Sequence, residues 1–513
     1  MRRSSVPDGS ASGRGQARVL VLGGGGREHA LVWSLAREAG VAELIVAPGS
    51  DAIAAEPKVR CLAQVSPLDP AAVVDLAVAE DVDLVVVGPE APLAAGVADA
   101  LTEAGISVFG PSRAAARIEW SKAFCRDVAA AAGVRMARGR DFAALESALA
   151  FARELADGPG SRGVVVKADG LAAGKGVTVC DDYAAAEAAL RALFANLPCV
   201  EPGRVAAAGR ARGAVEAEPR QPVVVLEERL FGAEASLIAL CDGHDALALP
   251  PARDHKRLLD GDAGPNTGGM GAYSPVPDLP ESLCATLVDV IHRPILAELA
   301  RRGAPFRGAL YAGLMLTPEG PVLIECNARF GDPEAQVLFP RLAVPLEPLL
   351  RGAASGDLAA AAAELGLKGS VLPTTGNAAV AIVMAAAGYP EAPRKGDPIG
   401  GLVQAAEGGA IIFHAGSERG PDGGFRTNGG RVLSVVGLGS SISAARQIAE
   451  RAAELIGWDG MQRRHDIASR VPPAADVGTA TDPRTGADLP AAGDLRPVAS
   501  APATGWDGGG SAA

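Results

Sequence analysis

The chain has 513 residues, of which 48% are hydrophobic and 4% aromatic, and its formal net charge is −12. Because one hydrophobic core rarely grows past a few hundred residues, this length predicts several domains with cores of aliphatic side chains. The negative charge argues against a general nucleic-acid or membrane-surface binder, since no basic field would attract phosphate groups. Phosphate-bearing substrates stay open, because they need only local positive charge.

The cysteines and the termini indicate a cytoplasmic protein. Its seven cysteines are scattered, and none has zinc-ligand spacing to another Cys or His, which is typical of reduced thiols. No apolar run reaches the roughly 20 residues that span a bilayer. Residues 1–16 are polar and rich in Gly and Ser, which predicts a disordered leader rather than a signal peptide.

Strands and helices alternate over the first part of the chain. Apolar runs predict strands at 18–22, 44–49, 84–89 and 107–111, and helices are predicted at 28–39 and 71–79. This alternation is typical of a parallel α/β sheet, in which ligands bind at the carboxyl ends of the strands.

The pattern changes near Ser121. A helix is predicted at 122–132 and strands at 164–167 and 223–228, with a flexible insertion at 199–222 between them. A last unit, at roughly 370–469, has strand patterns at 380–384, 411–414 and 432–436. The tail 471–513 is rich in Pro, Ala, Gly and Asp and is predicted to be disordered.

Four glycines, Gly23 to Gly26, separate the first strand from the first helix. Glycine lets the backbone approach a ligand, and a helix N-terminus favours an anion. The spacing differs from a dinucleotide-binding turn, because Glu28 stands where the final glycine would be. A monophosphate ligand with Arg27 supplying charge is one interpretation, and a purely structural tight turn is the other.

A second glycine-rich loop follows the strand that ends at Lys167, where a charge is costly unless an anion pairs with it. The loop contains Gly170, Gly174, Lys175 and Gly176. Its N–H groups and lysine could cover phosphates, although it is not a Walker A loop. A surface hairpin with solvated lysines is the alternative.

The apolar run before Glu325 predicts a buried strand. Alternation places Glu325 and Asn327 on one face, where two oxygen ligands suit magnesium, and Arg329 follows on that face. The guanidinium could stabilise a transferring phosphoryl group. An ordinary strand with an exposed acid is the alternative.

Two polar stretches, 254–257 and 264–271, lie between these elements. They are too long and too polar for a simple connection, which favours functional loops over mobile solvated ones.

Together these segments resemble the family of phosphoribosylamine–glycine ligases in the ATP-grasp superfamily. The matching stretches occur in order between residues 18 and 469. They are GGREHAL (25–31), VGPEAPL (87–93), SKAF (121–124), VKADGLAAGKGV (166–177), EASL (234–237), DHKR (254–257), GPNTGGMGAYSP (264–275), YAGLM (311–315), ECNARFGDPE (325–334) and TNGGRVL (427–433).

The resemblance implies a mixed α/β and α+β protein with a Rossmann-like N-terminal domain at 17–120. It also implies ATP-grasp domains at 121–350, with a flap subdomain at about 140–230, and a small β-rich C-terminal domain at 351–470. The implied reaction joins glycine to 5-phosphoribosylamine with ATP and Mg²⁺ or Mn²⁺, through glycyl phosphate, in de novo purine synthesis. A monomer with transient contacts to neighbouring enzymes of the pathway is expected.

The resemblance also implies residue roles. The ATP contacts would be Lys122, Lys167, Gly170, Gly174, Lys175, Gly176, Glu227, Leu230 and Glu234. The metal ligands would be Glu325 and Asn327, and the charged groups around the acyl phosphate Arg329, Asp254 and Lys256. The phosphoribosylamine contacts would be Gly24, Gly25, Gly26, Arg27, Glu28, His29, Glu90, Asn266, Thr267 and Gly268.

Three positions depart from the family pattern. Gly24 replaces the usual Asn, Ser50 replaces Asn, and Arg253 replaces the Gln that often precedes DHKR. Another ATP-grasp enzyme and a non-catalytic nucleotide-binding protein are the alternatives. The first should lack the segments at 264–275 and 427–433, and the second should have lost Lys167, Glu325 or Asn327, but all are present.

Overall fold

The computed structural model describes residues 16–158, 160–170, 176–196 and 223–472. The predicted leader up to residue 15, the insertion 199–222 and the tail from residue 473 lie outside these residues. Gly174 and Lys175 lie outside them as well. The predicted domain limits stay predictions.

A parallel sheet with connecting helices forms the N-terminal part of the chain. Its elements are β1 (Ala17–Gly23), α1 (Gly26–Ala36), β2 (Val41–Pro48), a 3₁₀ turn (Ile53–Ala55), β3 (Val59–Cys61), α2 (Pro70–Ala79), β4 (Leu84–Val87), α3 (Glu90–Ala95), α4 (Val97–Glu103), β5 (Val108–Phe109) and α5 (Arg113–Trp120). The strands pair in the order β3-β2-β1-β4-β5, and every pair is parallel. The predicted parallel α/β sheet is therefore confirmed.

An antiparallel sheet with its own core follows. Its elements are α6 (Lys122–Ala131), β6 (Gly139–Phe142), α7 (Leu145–Asp157), β7 (Val164–Ala168), β8 (Val177–Cys180), α8 (Tyr183–Asn196) and β9 (Val224–Glu228). The order is β6-β9-β7-β8. Apolar residues of α7, α8 and the sheet form a cluster that includes Phe151, Leu190 and Leu226 and is separate from the other cores.

A second antiparallel sheet, in the order β11-β10-β16-β17, completes the central region. The elements are β10 (Ala233–Asp242), β11 (Ala246–Ala248), β12 (Arg253–Asp254), β13 (Arg257–Leu259), a 3₁₀ turn (Asp260–Asp262), β14 (Ala263–Asn266), β15 (Gly271–Ser274), α9 (Glu281–Leu287), a π-helical turn (Val288–His292), α10 (Arg293–Arg301), β16 (Arg307–Thr317), β17 (Gly320–Asn327), α11 (Glu334–Leu338), a 3₁₀ turn (Phe339–Arg341), α12 (Glu347–Ser355) and α13 (Leu358–Glu364).

The C-terminal sheet recruits strands from the central region. Its own elements are β18 (Ala378–Ala385), α14 (Leu402–Glu407), β19 (Ile411–His414), β20 (Ser417–Arg419), β21 (Phe425–Thr427), β22 (Arg431–Gly439) and α15 (Ile442–Leu455). The order is β12-β15-β18-β22-β19, so two strands that precede residue 350 extend this sheet. The central and C-terminal regions therefore share backbone hydrogen bonds.

The side chains of β1 alternate between two hydrophobic clusters. Leu20 and Leu22 belong to a cluster that contains Leu237 and Leu310 of the central sheet. Val19 and Val21 belong to a second cluster, which contains Phe413 of the C-terminal sheet. Because alternate side chains of a strand face opposite sides, β1 packs against both the central and the C-terminal regions.

Three buried aromatic rings meet where these regions join. Phe330 stacks on Phe109 with ring centroids 5.7 Å apart and meets Phe339 edge-on at 5.1 Å. Each ring is at most 2% exposed. Such pairs add to the free energy gained by burying their area.

Replacing Phe330 with Ala should lower the free energy of unfolding by about 3–5 kcal/mol, because the cavity left between the two other rings cannot close fully. Urea unfolding measures this change. The control is Leu68→Ala, at a residue that is 54% exposed, which should change stability little. Equal effects of the two substitutions would contradict the central role of Phe330.

Glu38 fastens the end of α1 to the start of α12. Its carboxylate accepts hydrogen bonds from the backbone N–H groups of Leu346 (2.7 Å) and Glu347 (3.0 Å). Burial, with a smaller contribution from the Glu347 charge, raises the pKa of Glu38 to about 7. The folded state therefore binds a proton more tightly than the unfolded state, whose value is 4.5.

The stability contributed by this raised pKa is fully present below pH 4.5 and is lost as the pH rises through about 7. Glu38→Gln removes the titration. The stability of this variant relative to the natural chain should therefore increase between pH 5 and pH 8. Chemical unfolding at several pH values tests this, and a constant difference across the range would contradict it.

Candidate active site

The end of β17 carries the predicted metal-ligand pair. Glu325 Oε1 lies 3.5 Å from Asn327 Nδ2, while Cys326 between them is buried. The strand period of two puts the carboxylate and the amide on one face, as predicted from the sequence. The amide oxygen and nitrogen can exchange places by rotation, so either an acceptor or a donor can face the carboxylate.

Lys256 lies beside this pair. Its Nζ is 2.9 Å from Glu234 Oε2 and 3.9 Å from Glu325 Oε1. The three side chains are 35–42% exposed, so this face of the sheet is open to solvent. Burial opposes ionisation of Glu325, but Lys256, Lys167 and Lys122 together lower its pKa below the ordinary value. The carboxylate is therefore charged near neutral pH.

Asp254 is the acid of this group with a strongly shifted pKa. Burial, together with the charges of Glu334, Glu234 and Glu325, raises the pKa of Asp254 to about 7 against the opposing attraction of Lys256. Burial lowers the pKa of Lys256, yet Glu234 and Asp254 raise it well above its ordinary value overall. The cluster thus combines a permanent cation with a carboxyl group that titrates near neutrality.

Lys167 is held by two protein partners. Its Nζ is 2.6 Å from Glu227 Oε2 and donates to the Ile324 carbonyl at 3.2 Å. Arg126 Nη1 lies 2.6 Å from the other oxygen of Glu227. The carboxylate therefore holds two cations and is only 5% exposed. Glu227 was predicted to face adenine. In the structure its side chain points inward, to Lys167 and Arg126.

The remaining described ATP positions surround this group. Lys122 Nζ donates to the carbonyl of Gly170 at 3.3 Å, which ties the start of α6 to the loop after β7. Leu230 is half-buried directly after β9, and Gly176 is half-buried before β8. The structure therefore brings Lys122, Lys167 and Glu325 together, as the lowered pKa of Glu325 shows.

The N-terminal glycine loop is closely packed. A Cβ at Gly24 would lie 2.4 Å from the Gly49 carbonyl oxygen, so only glycine fits this backbone path. Gly25 N–H donates to Glu28 at 2.8 Å, and Gly26 begins α1. Glu28 also holds Arg27 Nε at 2.6 Å. The Glu28 side chain is thus occupied by its own loop.

His29 points away from the loop. Its Nδ1 accepts from the His414 N–H at 2.9 Å, and its Nε2 lies 3.4 Å from Glu56 Oε1. The ring also meets Phe413 edge-on. Both ring nitrogens are therefore taken up by protein partners, in β19 and in the turn before β3, and the side chain is not brought together with the other predicted substrate contacts.

Two arginines converge on one carbonyl oxygen. Arg27 Nη1 and Arg329 Nη1 both donate to Phe330 O, at 3.1 and 3.0 Å. Arg329 Nε lies 3.2 Å from Glu119 and 3.5 Å from Glu90. Burial opposes ionisation of Glu90, but Arg329 and Arg27 hold its pKa below the ordinary value. Glu90 therefore lies within the electrostatic reach of both arginines.

The segment Asn266–Gly268 lies against Lys256. Thr267 donates to the Lys256 carbonyl through both its N–H (2.7 Å) and its hydroxyl (2.9 Å). Gly268 O accepts from Arg431 Nη1 at 2.6 Å, and the same guanidinium binds Asp332 Oδ2 at 2.9 Å. Asn266 pairs with Arg257 across β13 and β14. Thr267 thus positions Lys256.

Several residues of this site were not singled out from the sequence. Arg126 and Glu119 pair with Glu227 and Arg329 from helices more than 100 residues away in the chain. Asp332 and Arg431 pair across 99 residues. Asp332 and Arg431 lay inside matched motifs, so that signal was available, whereas Glu119 had no local signal at all.

Within the described part of the chain, no group of three or more His, Cys, Asp or Glu side chains is arranged to hold a metal ion. Glu325 and Asn327 nevertheless fit a magnesium-type ion. Such an ion takes few protein oxygens and fills its shell with water and phosphate oxygens. A charged carboxylate beside an amide, on an open face, meets that requirement.

A cavity of about 730 Å³ lies elsewhere, between Trp33 of α1 and the C-terminal sheet. None of the predicted site residues that the structure describes lines it. The candidate site is instead an open surface shared by the three regions.

Comparison with known proteins shows to which family the chain belongs. Profiles of Phosphoribosylglycinamide synthetase match in order: the N domain at 17–119, the ATP-grasp (A) domain at 120–335 and the C domain at 379–470. The chain belongs to the phosphoribosylglycinamide synthetase family. Membership confirms the resemblance, the fold class and the assignment as an ATP-grasp ligase, and an ATP-grasp domain implies use of ATP with a divalent metal ion.

Relatives in this synthetase family match nearly end to end. The phosphoribosylamine–glycine ligase of Streptomyces coelicolor is 48% identical over 459 residues, which are 88% of this chain and 99% of that protein. The protein of the same name from Mesorhizobium japonicum is 46% identical over 448 residues, which are 87% of this chain and 96% of that protein.

Solved structures agree with the family fold. The phosphoribosylamine–glycine ligase of Thermotoga maritima superimposes with a TM-score of 0.68 at 30% identity, covering 88% of this chain and all of that one. A biotin carboxylase domain from Hydrogenobacter thermophilus, in complex with MgADP, gives 0.60 at 17% identity, covering 88% of this chain and 92% of that one, which shows the fold alone.

No helix in the described residues has the length and apolar character needed to cross a membrane.

In this synthetase, Glu227→Gln should lower the free energy of unfolding by about 3–5 kcal/mol, because it leaves Lys167 and Arg126 without a buried counter-charge. Denaturant unfolding provides the measurement. Glu187→Gln, at an exposed pair with Arg191 in the same region, is the matched control and should have little effect. If the Glu227 variant unfolds like the control, the buried-pair interpretation fails.

Proposed function

We propose that this chain joins glycine to 5-phosphoribosylamine with hydrolysis of ATP, giving glycinamide ribonucleotide, ADP and phosphate in de novo purine synthesis. The observation that carries the proposal is the meeting of Glu325, Asn327 and Lys256 in a chain whose near full-length relatives are named phosphoribosylamine–glycine ligases.

The ATP end of the site rests on Lys122, Lys167 and the loop from Gly170 to Gly176. The lysines lie close enough to Glu325 to lower its pKa, so the same positive field would reach a triphosphate. Lys167 is held by Glu227 and Ile324 O, which fixes its ammonium group before ATP arrives. We assign Leu230 and Glu234 to the nucleoside, with Glu227 acting through the cations it positions.

Glu325 and Asn327 would hold a divalent ion, Mg²⁺ or Mn²⁺. Such an ion supplies neutralisation of charge on the phosphate oxygens. The lowered pKa of Glu325 keeps the carboxylate ionised, and the Asn327 amide offers a neutral oxygen. Lys256, at 3.9 Å, limits the negative charge of the pair when no ion is bound.

The reaction would proceed in two steps. A glycine carboxylate oxygen attacks the γ-phosphorus, and the bond to ADP breaks, which leaves glycyl phosphate. The amine of phosphoribosylamine then attacks the glycyl carbonyl carbon, phosphate leaves, and the amine proton passes to phosphate. Lys256 and Arg329 would balance negative charge on the transferring group, and Asp254 would orient the glycine ammonium group.

Phosphoribosylamine would bind between the N-terminal loop and Asn266–Gly268. Gly24 to Gly26 bring backbone close to the ligand, Arg27 supplies positive charge for its phosphate, and Glu90 lies beside Arg329. Glu28 and His29 would support this loop rather than contact the substrate, since protein partners occupy both side chains. Thr267 would act through Lys256.

Purified full-length chain should release ADP from Mg-ATP and phosphoribosylamine generated in situ only when glycine is added. Glycinamide ribonucleotide should appear in the mass spectrum in equal amount. ADP release that depends on another carboxylate would overturn the substrate assignment but keep the ATP-grasp chemistry. No ADP with any carboxylate would favour a non-catalytic protein.

Glu325→Ala should reduce turnover by roughly 10²–10³-fold or more while leaving the fold intact, because the metal-bound charge compensation is lost. Circular dichroism checks the fold. Glu319→Gln, at an exposed position on the same hairpin, is the matched control and should keep full activity. A fully active Glu325 variant would disprove the metal assignment.

The chain would act as a cytoplasmic monomer. Because phosphoribosylamine is unstable, we also expect transient contacts with neighbouring enzymes of its pathway. Kinetics with a chemical trap for the free amine tests this point. Activity that persists with the trap supports direct transfer between enzymes, and full inhibition counts against it.

A further inference from the structure

A second cavity, of about 260 Å³, lies between the loop after β15 and the segment before β18. Six of its lining residues are prolines: Pro250, Pro251, Pro275, Pro277, Pro280 and Pro373. Because proline has no backbone N–H, these positions provide apolar rings but no main-chain hydrogen-bond donor. The volume lies below the range for drug-sized ligands, so a smaller molecule would fit.

Arg341 is the cation that lines this cavity. Arg341 is only 4% exposed. Nε donates to the Asn377 carbonyl at 2.6 Å, and Nη1 donates to the Ser274 hydroxyl, which in turn donates to Pro251 O at 2.6 Å. All of these acceptors are neutral.

Among the described residues, no other buried arginine or lysine lacks an acidic partner. Arg27 pairs with Glu28, Lys167 with Glu227, Arg253 with Asp278, and Arg464 with Asp262 and Asp466. Arg341 has no such pair within that part of the chain, and burial lowers its pKa to about 10. An uncompensated buried charge is costly, so an anion in the cavity would be favoured.

The hydrogen bonds of Arg341 to the described residues leave three N–H donors of the guanidinium unused. A guanidinium has five N–H groups, and those on Nε and one on Nη1 are used. Nη2 donates to none of the described residues. Nη2 therefore keeps two N–H donors and Nη1 keeps one, and a carboxylate can accept two of these in a bidentate manner.

We propose that this cavity binds a small monocarboxylate with an apolar body, whose carboxylate pairs with Arg341 and whose body packs on the prolines. Phosphate fits less well, because one guanidinium and proline walls would leave much of its charge without donors. Glu281, the acid at the rim, is exposed and forms no ion pair with Arg341. None of these residues belongs to the candidate active site, so the inference does not depend on the proposed function.

Calorimetric titration of the full chain with 3-methylbutanoate tests the site, with acetate and inorganic phosphate as comparison probes. The natural chain should bind 3-methylbutanoate more tightly than acetate or phosphate. Arg341→Gln should weaken this binding at least about tenfold, since a charge-assisted bidentate contact is lost. Arg135→Gln, at an exposed arginine, is the matched control and should bind normally.

Thr374→Trp is the second variant. The tryptophan fills the cavity from a half-buried lining position and removes no contact of Arg341, so it should also abolish binding. This variant keeps the proposal testable if Arg341→Gln does not fold. Absence of binding to the natural chain, or unchanged binding in a folded variant of either kind, would overturn the proposal. Phosphate binding as tight as that of 3-methylbutanoate would overturn the requirement for an apolar body.

Discussion

The carbonyl oxygen of Phe330 and the short segment around it hold the candidate site together. Arg27 and Arg329 share this one acceptor, which brings the N-terminal loop and the end of β17 to the same point. Other residues of the segment 325–334 contact further parts of the site. Its partners include Lys256 at Glu325, Glu119 at Ala328, Arg431 at Asp332, and Ser236 and Tyr311 at Glu334.

Charge pairing then decides which groups stay free for ligands. Glu227, Glu28 and His29 are consumed by protein partners, so their effect on a ligand is indirect. Lys256 and Glu325 are more exposed and lie 3.9 Å apart, which leaves Glu325 able to take another partner. Although the chain has a net charge of −12, Lys256, Lys167 and Lys122 all act on Glu325, and phosphates would be attracted to this place.

Sequence reasoning worked best where one local rule governs position. Strand alternation placed Glu325 and Asn327 on one face, and the structure confirms it at 3.5 Å. It predicted less well whether a side chain contacts a ligand or another part of the protein. His29 follows the glycine loop directly, yet its ring turns to His414, a partner 385 residues away. No local pattern encodes such a choice, because it depends on which element packs alongside.

By itself, the sequence determined the alternating α/β order of the N-terminal region, the strand that ends in Glu325 and Asn327, and the family to which the chain belongs. These follow from periodicity and from motifs that act over a few residues. Only the tertiary structure decided that β12 and β15 join the C-terminal sheet, that Glu119 and Arg126 complete the charged clusters, and that Arg341 has no acidic partner among the described residues. Such features require groups distant in the chain to meet in a low-dielectric interior, where each charge must find its counter-charge in space rather than in sequence.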